Sequence, residues 1–219
     1  MSTTQLRLSA AQLQLAGQQV NLPELSLGCG EILAVIGPSG CGKSSWLRWL
    51  LGDQQSHMQV NGRIELSGTD ISTWPIEQRG IGIVWQDFLL VPHLSVQENL
   101  RLALPKALRS QSRQAQQQVI FERLQQVELG DLAQQPVTAL SGGQRARIAL
   151  LRALINEPRL VLLDEPFAAL DSQLRQRIRQ WTFATLAQTA TSAIIVSHDS
   201  ADFPAGCSQL HWPQGANYD

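Results

Sequence analysis

Ile32-Leu33-Ala34-Val35-Ile36-Gly37-Pro38-Ser39-Gly40-Cys41-Gly42-Lys43-Ser44-Ser45 is the stretch on which the reading of this chain turns. A continuous apolar run, as expected of a strand buried on both faces of a mixed or parallel sheet, leads straight into a glycine-rich loop. The loop fits the phosphate-loop pattern. Its glycines let successive backbone N–H groups wrap around phosphate oxygens, with Pro38, Ser39, Cys41 and Ser45 completing the cradle. Lys43 would reach the β- and γ-phosphates, and the Ser44 hydroxyl would ligate Mg²⁺. A helix beginning near Lys43 adds its positive dipole end.

Working outward, similar short runs recur at Ile81–Trp85, Leu160–Leu163 and Ala193–Val196. Together with the first they predict an α/β sheet covered by helices. Leu6-Arg7-Leu8, Leu13-Gln14-Leu15 and Leu25-Ser26-Leu27 alternate instead, which predicts half-exposed antiparallel strands near the N-terminus. From about Leu94 to Leu129 the chain is rich in Gln, Arg, Leu and Ala, a helical composition with breaks expected at Pro105 and Gly130. The tail from Ala201, with Pro204, Gly206, Pro213 and Gly215, reads as loop.

A phosphate loop alone does not separate kinases, GTPases and motor ATPases. Leu160-Val161-Leu162-Leu163 ends in Asp164-Glu165. This puts Asp164 where it can hold Mg²⁺ through its water shell, and Glu165 where it can polarise an attacking water. Leu140-Ser141-Gly142-Gly143-Gln144 precedes an apolar-periodic segment, Ile148–Leu154. Ser141 is a good N-cap and the glycines expose N–H groups, so this is a second anion-receiving helix start. One nucleotide needs only one cradle, so the second is unexplained within a monomer.

Composition narrows the classes. Among 219 residues, 17 Lys+Arg against 18 Asp+Glu give a net charge of −1, which leaves no electrostatic footprint for nucleic acid. With 43 % hydrophobic residues the mix is globular rather than disordered. Cys29, Cys41 and Cys207 have no metal-ligand spacing and read as reduced thiols of a cytosolic protein. The N-terminus lacks a leader pattern and no window is apolar enough to span a membrane, so membrane work would need another chain. Trp46 and Trp49, three apart, read as core packing, as does Trp85. His57, His93 and His211 have no partners in sequence and receive no role.

On these motifs the chain closely resembles the ATP-binding subunits of ABC transporters, and the resemblance covers nearly its whole length in order. Gly37–Ser44 resembles Walker A, Gln86 the glutamine loop, Leu140–Gln144 the signature, and Leu160–Glu165 Walker B with its catalytic glutamate. Ala169-Leu170-Asp171 resembles the aspartate loop and His198 the switch histidine. The resemblance implies a P-loop NTPase core with an N-terminal antiparallel β subdomain and an inserted α-helical subdomain. The whole is a single ABC ATPase domain, with a core lobe at about 1–86 and 155–219 and a helical lobe at about 87–154.

The same resemblance explains the second cradle. Two copies pair head to tail, and each ATP is sandwiched between Walker A of one and the signature of the other. Catalytic roles fall on Glu165, His198 and Gln86. Nucleotide contacts fall on residues 37–45, Ser141, Gly142, Gly143, Gln144 and Asp171, and Mg²⁺ contacts on Ser44, Gln86 and Asp164. By the same resemblance Gln86 would sense Mg²⁺ and water, His198 would contact the γ-phosphate, and Asp171 would communicate across the dimer. The implied partners are a second copy, integral membrane permease subunits and an extracytoplasmic solute-binding protein, at the cytoplasmic face of the cell membrane. The surface near Gln86–Leu104 would receive a cytoplasmic helix of the permease.

Gln135-Pro136-Val137-Thr138-Ala139 before the signature favours an importer over an exporter. The spacing is similar to the thiamine, iron, sulfate and polyamine importer group and to YnjD-type subunits. The alternative is a mechanical-transmission ATPase of the same family, driving a partner that activates a cell-wall hydrolase or extracts lipoproteins. Two departures stand out. The chain stops soon after His198, so regulation by a C-terminal domain is not expected. No Phe, Tyr or Trp precedes Trp46, although most relatives stack an aromatic on adenine, so Leu13 or Leu15 is expected to give only apolar contact. Losing the stack forfeits roughly 0.5–1.5 kcal/mol, and comparable ATP and GTP turnover is the expected result.

Overall fold

A computed structural model describes residues 4–15, 18–53 and 58–212. Its centre is a parallel sheet built from the apolar runs. In chain order the first strands are β1 (Thr4–Leu8), β2 (Ala11–Leu15), β3 (Gln18–Leu22), β4 (Leu25–Gly28) and β5 (Ile32–Ile36). After the phosphate loop come helix α1 (Lys43–Leu51) and strands β6 (Met58–Asn61), β7 (Ile64–Leu66) and β8 (Thr69–Asp70). Helix α2 (Ile76–Arg79) then leads into β9 (Ile81–Val84). Next are α3 (Val96–Leu102), α4 (Lys106–Arg109), α5 (Arg113–Gln126) and α6 (Gly142–Leu154). The chain continues through β10 (Leu160–Asp164), α7 (Ser172–Gln188), β11 (Ser192–Val196) and β12 (Ser208–His211).

The parallel sheet runs β12-β5-β11-β10-β9, and the antiparallel sheets run β4-β1-β7-β8 and β3-β2-β6. This is the α/β fold with an antiparallel N-terminal part that the sequence predicts. β10 and β11 are buried at every position. Their side chains alternate between two apolar layers. Leu160, Leu162, Ile194 and Val196 pack with Trp46, Leu47 and Leu50 of α1. Val161, Leu163, Ala193 and Ile195 pack with Ala149 and Leu150 of α6 and with Phe167. Each such large side chain contributes about 1.5–3 kcal/mol on burial, which fixes the strand ends, and the loops they carry, at one edge of the sheet.

The helical composition after Leu94 forms three helices. Pro105 caps α4, and a 3₁₀ turn starts at Gly130. Val96 and Leu100 of α3, Ile120 and Leu124 of α5, and Ile148 and Leu151 of α6 make a third core of their own. Trp46 and Trp49 are 2 % exposed and Trp85 is buried, as packing residues should be. The Arg48 guanidinium lies 4.6 Å over the Trp85 ring. His93 and His211 are exposed, and His57 lies outside the described residues.

The tail is the correction. Residues Ser208–His211 are a strand, not a loop, and pair in parallel with β5 from Ser208↔Leu33 to His211↔Ile36. An edge strand needs no continuous apolar run, because its outer side faces solvent. Ser208-Gln209-Leu210-His211 therefore carries no strand signal that sequence patterning can detect.

Arg79, also unforeseen, is 5 % exposed. Its guanidinium donates to the carbonyls of Trp49 (3.0 Å), Leu50 (2.8 Å), Ser72 (2.8 Å) and Trp74 (2.9 Å). It thus serves the Leu50 carbonyl in the last turn of α1 and adds a second donor to Trp49 O, which already accepts from the Gly52 N–H. The helix behind the phosphate loop is thereby tied to the segment entering β9.

Candidate functional site

β5, β10, β11 and β9 end together, so their C-terminal loops share one edge of the sheet. The register pairs Val196 with Asp164 and with Val35, and Leu163 with Val84. Gln86 lies two residues past Val84, as Glu165 lies two past Leu163. The sheet therefore gathers the phosphate loop, Asp164, Glu165, His198 and Gln86 from distant parts of the sequence. Ligand sites in open α/β sheets form at this edge.

Helix α1 has no side-chain cap. Its N-cap is Gly42 at φ 98°, a left-handed conformation that glycine adopts without a steric penalty. The first-turn N–H groups are left for an anion. Pro38, Ser39 and Gly40 are exposed at the loop tip, whereas Lys43 is 8 % exposed. Its ammonium donates to Gly37 O (2.8 Å) and to Pro38 O. A buried cation facing loop carbonyls is a ready counter-charge for phosphate oxygens.

Asp164 is 5 % exposed at the end of β10. Burial pushes its carboxyl above the usual range, the Ser44 hydroxyl beside it lowers it, neighbouring Glu165 raises it again, and Lys43 and Arg48 lower it. A hydroxyl facing a buried carboxylate suits a hard cation with oxygen ligands, and a dication there would hold Asp164 ionised. Among the described residues no group of three or more His, Cys, Asp or Glu side chains could hold a metal. Ser44 and Asp164 could together hold a Mg²⁺ that takes its other ligands from phosphate oxygens and water, the mode Mg²⁺ favours.

Glu165 has φ 48°, unusual for a residue with a β-carbon and costing roughly 1–3 kcal/mol. Its backbone N–H donates to Val196 O at 2.9 Å. Its carboxylate accepts from His198 N (3.1 Å) and lies 2.9 Å from His198 Nδ1 and 3.3 Å from Ser197 Oγ. The hydrogen bond to Glu165, and then its charge, hold the His198 imidazole above its ordinary pKa. Behind them sits a network that leaves no mark in the sequence. The Ser197 hydroxyl gives its single proton to Asp202 (2.7 Å), which is fully buried. Arg175 grips Asp202 through Nε (2.9 Å) and Nη2 (2.6 Å). A bidentate pair of this kind fixes orientation as well as charge.

Gln86 is exposed beyond β9. Ser141 N-caps α6 in a reciprocal capping box: its hydroxyl accepts from Gln144 N, and Gln144 Oε1 accepts from Ser141 N at 2.8 Å. Gly143 lies against Leu170 and Leu174. Asp171 N-caps α7, accepting from Leu174 N at 3.0 Å. The signature and the aspartate loop are thus neighbours in one chain.

The base-contact expectation needs correction at Leu13. That side chain is fully buried, because Ala11 and Leu13 alternate inward while Gln12 and Gln14 face out. It cannot offer a surface to adenine. The side chain of Leu15 lies outside the described residues.

A phosphate loop on a parallel sheet, a strand-end Asp-Glu pair and a separate capped glycine helix define a P-loop nucleotide-binding ATPase domain. The ABC transporter family model matches residues 20–168, and the chain belongs to that family as an ATP-binding domain. Among its relatives is the Uncharacterized ABC transporter ATP-binding protein YnjD of Escherichia coli strain K12, 42 % identical over 84 % of both chains. Another is the Sulfate/thiosulfate import ATP-binding protein CysA of Xylella fastidiosa strain Temecula1, 39 % identical over 82 % of this chain. This chain spans about half the length of that relative. The ADP- and Pi-bound dimer of the ATP-binding cassette MJ0796 superposes with a TM-score of 0.76 and 27 % identity, covering 90 % of this chain and 89 % of that one. An inward-facing putative metal-chelate type ABC transporter gives 0.76 and 26 % identity, covering 96 % and 80 %. Among the described residues no helix is long and apolar enough to cross a membrane.

Proposed function

We propose that this chain is the ATP-hydrolysing subunit of an ABC-type solute importer, energising transport by head-to-tail dimer closure at the cytoplasmic face of the membrane. The observation that carries the reading is the pair of glycine helix starts, α1 and α6, of which only α1 lies with Asp164 and Glu165. One ATP per active site then needs residues 37–45 of one copy and Ser141–Gln144 of the other, with Asp171 near the seam.

Ser44, Asp164 and Gln86 would hold a Mg²⁺, which when bound would neutralise phosphate charge. Glu165 orients and deprotonates water, and it is freed for this when His198 turns from its carboxylate to the γ-phosphate. Ser197, Asp202 and Arg175 keep the segment that carries His198 in place during that exchange. Closure moves the helical lobe, about 87–154, against the core lobe, and so pulls on a permease.

The permease's docking surface includes an open groove of about 390 Å³ between the two lobes, lined by Ile76, Ile81, Ile83, Leu102, Leu104 and Arg152. Ile76 is 43 % and Leu102 56 % exposed there, and nearby Leu89 is 51 % exposed. The relatives named as sulfate and thiosulfate importers support import over export, and an extracytoplasmic binding protein would then deliver the solute.

The test is co-purification of tagged Glu165→Gln protein from detergent-solubilised membranes with ATP, bound chains being identified by mass spectrometry. Recovery of a many-span permease is expected. A few-span partner with a large external domain would replace transport by mechanical transmission, and the absence of any membrane partner would remove both.

A further inference from the structure

The geometry points to Trp212 as a positioning residue for nucleotide: its indole holds the phosphate loop in the form that offers backbone N–H groups to phosphate. The inference rests on reading residues 37–45 as the nucleotide cradle.

Trp212 follows β12, the edge strand beside β5. Its backbone N–H donates to Ile36 O at 2.7 Å, one step past the last strand pair, so it sits against the first residue of the loop. A β-carbon on Gly37 would lie 2.7 Å from Trp212 Cβ, closer than real side chains approach. Glycine at 37 is what admits the tryptophan. The side chain is 4 % exposed and packs on Trp46, with ring centroids 5.5 Å apart at 57°. Its Nε1–H donates to Cys41 O at 2.7 Å. Trp212 thus grips the loop at both ends, through Ile36–Gly37 and through Cys41.

The Cys41 bond has a directional consequence. In a trans peptide the carbonyl and the following N–H point to opposite sides. An indole that holds the Cys41 carbonyl toward the core therefore commits the Gly42 N–H to the side away from the core, where the loop is exposed. Without that bond the 41–42 peptide is free to rotate and turn a carbonyl toward the phosphates. The neighbouring indole shows the contrast: Trp46 Nε1 is buried with no hydrogen-bond partner among the described residues. Two packed tryptophans share one core, and only one of them bonds to the loop.

The test uses the full chain with ADP and Mg²⁺, comparing Trp212→Phe and Trp46→Phe with wild type by calorimetry and steady-state ATPase assay. Each variant keeps an aromatic ring and loses an indole N–H. Trp212→Phe is expected to weaken ADP binding about 2- to 10-fold, the range for one neutral hydrogen bond, and to raise KM for ATP to match, with kcat within twofold. Trp46→Phe is expected to change ADP affinity less than twofold, whatever its melting temperature. Equal affinity for Trp212→Phe and wild type overturns the inference, as does an equal loss in both variants, which would mark general softening of the core. If Trp212→Phe does not fold, hydrogen exchange at the Trp212 indole in the wild type decides. Slowing on ADP binding is expected, and unchanged exchange overturns the inference. A wild type that binds no ADP would instead defeat the reading of the loop itself.

Discussion

Helices α1 and α6 both have glycine at their start, Gly42 as the N-cap of α1 and Gly142 as the first residue of α6, and both could receive an anion, yet their N-termini are finished in opposite ways. α1 has no side-chain cap, its N-cap glycine is left-handed, and a buried lysine waits beside it. α6 closes on itself, Ser141 and Gln144 each satisfying the other's backbone N–H. A helix start whose donors are unmatched attracts phosphate by itself. One already capped gains less from an anion and needs the rest of a site brought to it. On the proposed two-copy arrangement the difference implies an order: α1 would bind nucleotide in a single copy, and α6 would contribute when a second copy arrives.

The largest effect expected from this asymmetry is at Lys43. Lys43→Ala should weaken ATP binding by at least about 10²-fold, since a buried charge-assisted contact to phosphate is lost, and should abolish turnover. Calorimetry at protein concentrations that keep the chain monomeric checks it. Binding that survives the substitution would mean that α6 can hold ATP unaided, and the contrast would fail. Glu165→Gln comes next. It should lower turnover about 10²–10⁴-fold with ATP affinity retained, because in the proposed mechanism the carboxylate would act on water and not on the nucleotide. Near-normal hydrolysis would take Glu165 out of the base role.

Ser141→Ala sharpens the comparison from the other side. Losing the cap costs about 1 kcal/mol of helix stability, a modest change in melting temperature. ATP affinity of the monomer should stay within twofold, while ATPase activity at high protein concentration should fall about tenfold. A parallel loss of monomer affinity would place Ser141 at the same nucleotide as Lys43 and undo the two-copy arrangement.

What the sequence made legible follows the same division. The strands β5, β9, β10 and β11 were readable because burial on both faces demands continuous apolar residues, and the loops they carry follow known spacing. The edge strand β12 has one covered side and no such signature, so sequence patterning places Trp212 in a loop-like tail. The Arg175–Asp202–Ser197 network was equally hidden, since an ion pair between residues 27 apart in sequence leaves no periodicity. Leu13 misled for a physical reason: its position upstream of the loop suggested a base contact, but strand alternation turns it inward. Asp171 has both properties at once, a helix cap in this chain and a candidate contact for the next, and no local pattern distinguishes them.

The smallest expected effect concerns how the α1 site rests before nucleotide arrives. His198 is held above its ordinary pKa of 6.5, first by its hydrogen bond to Glu165 and then by that residue's charge. A histidine whose folded pKa is raised contributes its stabilisation fully below the unfolded value, and loses it as pH rises through the folded value. The His198–Glu165 contact should therefore be firm in mildly acidic solution and loosen through the raised pKa, leaving Glu165 freer at alkaline pH. Titration of the His198 imidazole by NMR should give a pKa above 6.5 in the nucleotide-free chain, falling toward 6.5 in Glu165→Gln, where the carboxylate charge is gone. The imidazole is 68 % exposed, so the change in global stability should be slight. A pKa that does not respond to Glu165→Gln would mean the two side chains are apart in solution, and the α1 site would then rest with its base already free.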